Sequence, residues 1–188
     1  MSLADEHDAR LIAEADRARA LSWTRHYKER GYALIPKGTR CLCDVGAGTG
    51  DDALAIAELL TDDSRVIGVD ARAALVAEAH RRARNVALGV AFYTADASAL
   101  PFEDGSLDVV RADFVLGTLD APESALREAA RVLRPGGLLL VHDRADGPCE
   151  AWVLSLARLG FDETPLLEHF PTPDGARGLT FLAVRGRS

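Results

Sequence analysis

The 188-residue chain is poor in cysteine, in aromatic side chains and in positive charge. Its three cysteines are Cys41, Cys43 and Cys149. The first two lie two positions apart on a predicted strand, so they share a face and cannot join distant segments. No Cys/His set has the spacing of a zinc site. This usage is typical of a reduced compartment, and we predict a cytoplasmic protein without a bound metal.

Long apolar runs and a surplus of basic residues are also missing. No run reaches the roughly 18–20 apolar residues that span a bilayer, and the acidic, polar residues 1–10 contain no signal-peptide core. Lys and Arg number 22 against 29 Asp and Glu, which gives a net charge of −7. Such a chain lacks the electrostatic footprint of a nucleic-acid binder. We therefore predict neither membrane insertion nor a nucleic-acid partner.

Strand-like and helix-like segments alternate through most of the chain. A helix is predicted over 3–19, and a second over 21–30 that ends at Gly31. Predicted strands follow at 40–45, 65–70, 87–94, 107–111 and 138–141, with helices at 51–60, 72–84 and 121–132 and a turn at Arg134–Gly137. This alternation favours a parallel sheet with helices on both faces. A helix at 149–159 and two strand-like runs near 164–170 and 178–184 complete the chain, and the two runs predict an antiparallel hairpin.

A glycine-rich turn is the most informative local feature. Residues 43–51 read Cys-Asp-Val-Gly-Ala-Gly-Thr-Gly-Asp between a predicted strand and a predicted helix. Such a turn lets backbone N–H groups approach a ligand closely. A dinucleotide fingerprint requires its third glycine one place later, where Asp51 stands. Because Asp44, Asp51 and Asp52 disfavour a pyrophosphate, we expect a ligand that carries an ammonium and a sulfonium.

Two further carboxylates follow predicted strand ends. Asp70 lies 20 residues beyond Gly50, a spacing at which an acid accepts hydrogen bonds from ribose hydroxyls. Asp96 lies in the segment Thr-Ala-Asp-Ala-Ser-Ala-Leu-Pro-Phe at 94–102. The alternatives are a surface turn aspartate at position 70 and a turn or helix-capping aspartate at position 96.

The Gly-x-Gly-x-Gly turn after an Asp-ending strand resembles motif I of the S-adenosylmethionine-dependent methyltransferases with a Rossmann-like fold. The segments 94–102, 102–110 and 125–137 resemble later motifs of the same family, nearest to its type 11, ubiquinone/menaquinone-type branch. The resemblance implies a three-layer α/β sandwich with a seven-stranded, mostly parallel sheet of order 3-2-1-4-5-7-6 and an antiparallel last strand. It also implies one domain over 1–188, in which helices of 1–34 form part of a lid over a core at 35–188.

The resemblance further implies S-adenosyl-L-methionine as cofactor. The cofactor-binding residues implied are Asp44, Gly46, Ala47, Gly48, Gly50, Asp70, Ala71, Asp96 and Ala97. We expect the cofactor's carboxylate at backbone N–H groups of the turn, its ammonium at Asp44 or the Gly46 carbonyl, and its adenine at Asp96 and Ala97. The side chains of Trp23, His26 and Tyr27 either belong to the lid or pack on the core.

Methyl transfer from a sulfonium is an SN2 displacement in which positioning dominates, and a base is needed only if the nucleophile must lose a proton. We expect a small-molecule acceptor, methylated at O, N or C, beyond the carboxyl ends of the strands. Candidate catalytic residues there are Asp113 and His142, the latter either a base or a polar strand-end residue.

Two other functions stay open. Many members of the branch carry His or Gln-His where this chain has Gly117-Thr118, which is compatible with a non-methylating cyclase or binding subunit that keeps the cofactor as scaffold. A nicotinamide oxidoreductase is disfavoured by Asp51 and by the terminal hairpin. The sequence is also compatible with a homodimer.

Overall fold

The computed structural model describes residues 3–20, 22–86, 89–144, 149–162, 168–172 and 177–187. The helices are α1 (Leu3–Ala20), α2 (Ser22–Ala33), α3 (Asp51–Leu59), α4 (Ala73–Ala83), α5 (Pro122–Val132) and α6 (Cys149–Arg158). The strands are β1 (Cys41–Val45), β2 (Arg65–Asp70), β3 (Val90–Thr94), β4 (Leu107–Asp113), β5 (Leu133–Arg144), β6 (Glu168–Pro171) and β7 (Arg177–Val184). A short 3₁₀ helix occupies Leu116–Thr118. None of the described helices combines the length and the apolar character that crossing a membrane requires.

The described strands form one seven-stranded sheet in the order β3-β2-β1-β4-β5-β7-β6. Strands β1 to β5 pair in parallel, whereas β7 runs antiparallel to both β5 and β6. The predicted strand order and the antiparallel hairpin are therefore confirmed. This order places the carboxyl ends of β1, β2 and β4 side by side, which is where open α/β sheets bind their ligands.

Apolar side chains pack on both faces of the sheet because its central strands are buried on both sides. One cluster lies under α5 and α6 and includes Leu126, Trp152 and Phe181. The other lies under α3 and α4 and includes Ile56 and Phe92. The sheet is thus the middle layer of three, as the sequence predicts.

Two predicted boundaries are wrong for reasons of tertiary contact. Helix α2 continues through Gly31 to Ala33. The glycine there serves close packing and does not end the helix, since a Cβ would lie 2.5 Å from Cε1 of His142. The segment Arg134–Gly137, predicted as a turn before the fifth strand, lies inside β5. Leu107 on β4 pairs with Leu133 on β5, and Val109 pairs with Leu138. The residues of β5 between these two pairs outnumber those of β4, so the segment with Gly136 and Gly137 forms a bulge in the strand.

Candidate functional site

A cavity of about 570 Å³ lies between the carboxyl ends of β1, β2 and β4 and the helix α1. Its volume falls in the usual range for a small-molecule or cofactor site. The predicted residues that line it are Gly46, Ala47, Gly48, Asp70, Ala71, Asp96, Ala97 and Asp113. Helix α1 contributes Leu11, Glu14, Ala15 and Ala18, which is the position expected of a lid element.

The glycine-rich turn forms one wall of this cavity. Gly46, Gly48 and Gly50 have φ angles of 71°, 55° and 82°, a left-handed region in which only glycine is unstrained. No atom lies within 4 Å of the place where a Cβ of Gly48 would stand. A ligand can therefore approach the backbone closely at Gly48.

Most N–H groups of the turn already donate hydrogen bonds within the protein. Those of Gly46 and Ala47 both donate to the carbonyl of Val69, at 2.8 and 3.0 Å, and that of Gly50 donates to the carbonyl of Ala47 at 2.9 Å. The N–H of Gly48 donates to Oδ2 of Asp70 at 3.0 Å. To bind the cofactor's carboxylate as predicted, these groups would have to exchange a protein acceptor for it.

Gly50 lies away from the cavity lining. It is buried where the turn meets α3, and a Cβ there would stand 2.6 Å from Cζ of Phe92 and 2.8 Å from Cβ of Ala79. This glycine permits the left-handed turn and the close packing of α3, and it does not face the cavity.

Asp70 and Asp96 stand on the opposite side of the cavity from β4. The Asp70 carboxylate accepts hydrogen bonds from the N–H of Gly48 and from the backbone and guanidinium of Arg72. Arg72 is more than half exposed in its side chain, so its guanidinium can yield to ribose hydroxyls. Asp96 accepts from the N–H and hydroxyl of Ser98 on Oδ1 alone. These bonds lower the pKa of Asp96 and keep it an ionised acceptor.

A buried ion cluster of Lys28, Asp44, Asp52, Arg111 and Asp113 lies beside the turn. Arg111 of β4 is only 1% exposed. Its Nη1 lies 2.6 Å from Oδ1 of Asp44, and its Nη2 lies 3.1 Å from Asp52 and 2.9 Å from Asp113. Lys28 of α2 places its Nζ 2.6 Å from Asp52 and 3.4 Å from Asp113. The cluster therefore ties α2 to the carboxyl ends of β1 and β4.

Three carboxylates against two cations leave the buried ion cluster with one negative charge in excess. Burial raises the pKa of Asp44 to about 6, although Arg111 opposes the rise. Burial also disfavours the charged form of Asp52, yet Arg111 and Lys28 together hold the pKa of Asp52 below its ordinary value. Lys28, Asp52 and Asp113 line the cavity, whereas Asp44 lies behind them. The cluster thus presents excess negative charge to the cavity through Asp52 and Asp113.

His142 lies at the edge of this cluster but outside the cavity lining. It pairs in register with Asp113, and its Nδ1 stands 4.0 Å from Oδ1 of Asp113. Burial lowers the pKa of His142 to about 4, although Asp113 opposes the shift, so the imidazole is neutral near pH 7. Among the described residues, neither ring nitrogen has a hydrogen-bond partner, and nor does Oδ1 of Asp113.

Aromatic side chains cover His142. The ring of Tyr27 stacks on that of Phe170 at 4.7 Å and lies 5.6 Å from the imidazole, while its hydroxyl donates to Asp113 at 3.2 Å. Phe114 meets both rings edge-on and has a φ of 53°, a strained conformation of the kind that clusters at ligand sites. Tyr27 therefore packs on the core. The side chains of Trp23 and His26 lie outside the described residues.

Asp143 holds the segment that follows β4. Its carboxylate accepts hydrogen bonds from the N–H groups of Gly117 and Arg144, at 3.0 and 2.8 Å. A Cβ at position 117 would stand 2.8 Å from Oδ1 of Asp143. The glycine therefore allows the carboxylate to secure the turn that places Val115 and Thr118 in the cavity wall.

The sheet order, the glycine-rich wall and the acidic cavity together define the Rossmann-like class of S-adenosylmethionine-binding proteins. The family model of the methyltransferase domain, type 11, matches residues 43–141, which is more than half of the chain. The chain belongs to this family, and its cofactor is S-adenosyl-L-methionine.

Individual relatives agree with this assignment. The chain is 39% identical over 134 residues to a demethylmenaquinone methyltransferase of Thermus thermophilus, covering 71% of this chain and 59% of that protein. Among solved structures, the [4+2]-cyclase SpnF superposes with a TM-score of 0.77 at 22% identity, covering 90% of this chain and 84% of that one. A methyltransferase from Aquifex aeolicus superposes with a TM-score of 0.69 at 19% identity, covering 93% of this chain and 97% of that one. Across the first curated relatives, the chain spans about a third to three fifths of their length.

Two members of the buried ion cluster, Lys28 and Arg111, are not among the predicted site residues. Arg111 interrupts the apolar run of β4, and a charge inside a strand buried on both faces signals a buried partner. Lys28 carries no comparable signal, because a lysine in a polar helix is ordinarily solvated. Only the packing of α2 on the sheet brings it to Asp52.

Proposed function

We propose that this chain transfers a methyl group from S-adenosyl-L-methionine to a small-molecule acceptor by in-line displacement. The observation that carries the proposal is the acidic cavity at the glycine-rich turn. Six acidic side chains line it (Glu14, Asp51, Asp52, Asp70, Asp96 and Asp113) against the cations Lys28 and Arg72. This surplus favours a ligand with a sulfonium and an ammonium and disfavours a pyrophosphate.

The residues present fit that cofactor. In this proposal Asp70 accepts from the ribose hydroxyls, and Asp96 and Ala97 meet the adenine. The open space at Gly48 admits the part of the cofactor that passes the turn. Asp52 and Asp113 attract the ammonium. Asp44 does so only indirectly, because it is buried behind them and pairs with Arg111.

The cofactor supplies an electrophilic methyl group on a good leaving group, and the protein supplies position and exclusion of water. Phe114, Val115 and Leu119 give the cavity an apolar wall near the end of β4. Positioning of this kind contributes several kcal/mol, up to roughly 7–11 in ideal cases. No base is required for an acceptor that is already nucleophilic.

Asp113 and His142 remain the candidate catalytic residues of this proposal, and they differ in their access to the cavity. Asp113 reaches the cavity directly. His142 is neutral near pH 7, but the burial that lowers its pKa to about 4 also makes it a weak base. It would reach an acceptor only if Tyr27 and Phe170, which cover it, moved apart.

The test is transfer of a labelled methyl group. The protein is incubated with S-adenosyl-L-methionine tritiated in the methyl group and a panel of small phenols, hydroquinones, amines and carboxylates. Hydroquinones are included because a relative is a demethylmenaquinone methyltransferase. We expect label in one acceptor class and stoichiometric S-adenosylhomocysteine, both lost in Gly48→Val. Cofactor binding without transfer to any class would contradict the proposal and support the scaffold alternative.

A further inference from the structure

The zwitterionic end of S-adenosyl-L-methionine needs a partner for its carboxylate as well as for its ammonium. The glycine-rich turn is an unpromising donor, because the N–H groups of Gly46, Ala47, Gly48 and Gly50 already donate to protein oxygens. Breaking such bonds would offset much of what a new bond to the cofactor contributes. A charged donor elsewhere in the cavity would bind the carboxylate without breaking these bonds.

The described cavity lining offers two cationic side chains, Lys28 and Arg72. Arg72 belongs to the ribose side, since its Nε and Nη2 lie 2.9 and 3.1 Å from the two oxygens of Asp70. Lys28 reaches the other end from α2, beside the carboxyl ends of β1 and β4. Position alone therefore assigns Lys28 to the amino-acid end of the cofactor.

Lys28 is also held in place. Its Nζ lies 2.9 and 2.6 Å from the two carboxylate oxygens of Asp52 and 3.4 Å from Oδ2 of Asp113. The Lys28 side chain is only 15% exposed, so its ammonium is fixed at the cavity wall before any ligand binds. A preorganised donor of this kind loses little conformational entropy on binding.

The charges balance when a zwitterion binds here. The buried ion cluster carries one negative charge in excess, and the cofactor carries one net positive charge from its sulfonium, ammonium and carboxylate. Asp52 and Asp113 then face the cofactor's ammonium while Lys28 faces its carboxylate. A charge-assisted hydrogen bond of this kind is shorter and stronger than a neutral one.

We propose that Lys28 binds the carboxylate of S-adenosyl-L-methionine and so makes the site selective for the complete amino-acid end. This inference rests on the proposed function, because it takes S-adenosyl-L-methionine as the ligand. Lys28 acts here as a binding residue that α2 contributes to a site built otherwise from the sheet.

The test compares two ligands in calorimetry: S-adenosyl-L-methionine and its decarboxylated form, which keeps the ammonium and the sulfonium. The wild-type protein should bind the decarboxylated form at least about tenfold more weakly. In Lys28→Met the two ligands should bind within about threefold of each other, mostly through weaker binding of the complete cofactor. Lys28→Gln, which can still hydrogen-bond Asp52, should behave likewise, and Lys28→Arg should restore the preference.

Lys37→Met is the matched control, because Lys37 is exposed and lines a different pocket beside α3. It should keep the wild-type ratio. A purely structural role of Lys28 would weaken both ligands equally, so an unchanged ratio in Lys28→Met and Lys28→Gln would overturn the inference. If the wild-type protein bound neither ligand, the cofactor itself would be wrongly assigned, and the proposed function would fail together with this inference.

Discussion

Replacing Arg111 with methionine removes the buried cation that three aspartates share. Arg111 and Asp44 are each about 1% exposed and lie 2.6 Å apart, and Asp52 and Asp113 contact the same guanidinium. Removing one partner of a buried ion pair costs about 3–5 kcal/mol. Methionine conserves most of the volume, so the loss is electrostatic. That loss is a large fraction of the roughly 5–15 kcal/mol that stabilises a typical protein.

The destabilisation should depend on pH. An unfolded aspartate titrates near about 3.9, whereas burial raises the pKa of Asp44 in the folded protein to about 6. A raised carboxyl pKa gives a contribution to stability that is complete below the unfolded value and is lost as the pH rises through the folded value. Because Arg111 holds that pKa down, Arg111→Met raises it further. The difference in free energy of unfolding should therefore be larger at pH 8 than at pH 5.

The assay is urea denaturation of the wild type and of Arg111→Met at both pH values, followed by circular dichroism. Arg134→Met is the matched control, since Arg134 is about half exposed and pairs with Asp108 at the surface. An exposed pair contributes about 0–1 kcal/mol. A loss in Arg111→Met no larger than in the control, or a loss that grows as the pH falls, would show that Arg111 does not stabilise the buried ion cluster by pairing with ionised aspartates.

Three further substitutions test the cavity. Asp70→Ala should lower the affinity for S-adenosylhomocysteine by at least about tenfold in calorimetry, because it removes a charged acceptor of the ribose hydroxyls; unchanged affinity would remove Asp70 from the site. Gly48→Val should abolish binding of S-adenosylhomocysteine, because its side chain would fill the space assigned to the cofactor. The positive φ should lower the free energy of unfolding by only about 1–2 kcal/mol, so a folded variant with wild-type affinity would contradict the proposed path of the cofactor. Gly117→Ala should lower Tm by about 3 °C by crowding Asp143; equal melting curves would show that the segment adjusts freely.

The fold was largely predictable because its signals are local. Alternating strands and helices indicate a parallel sheet, and the two last strands predict the hairpin that the pairing of β6 with β7 confirms. The boundaries that proved wrong depend on distant contacts. Gly31 is explained by the close approach of His142, far along the chain, and not by the end of a helix.

The site was predictable at the level of loops and less so at the level of side chains. Gly46, Gly48, Asp70 and Asp96 line the cavity, because each stands at a strand end that the topology brings to the same edge. Asp44 and Gly50 do not line it. The first is neutralised by Arg111 and the second is buried against Phe92, and neither pairing is visible in local sequence.

Calorimetric titration with S-adenosyl-L-methionine and, separately, with NAD shows which adenosine ligand the cavity binds. Both ligands carry adenosine and differ in the group attached to it, a cationic amino acid or a pyrophosphate. The acidic cavity predicts saturable binding of S-adenosyl-L-methionine at one site per chain, lost in Gly48→Val, with no heat from NAD. Binding of NAD without binding of S-adenosyl-L-methionine would show that the cavity holds a dinucleotide and not the sulfonium cofactor.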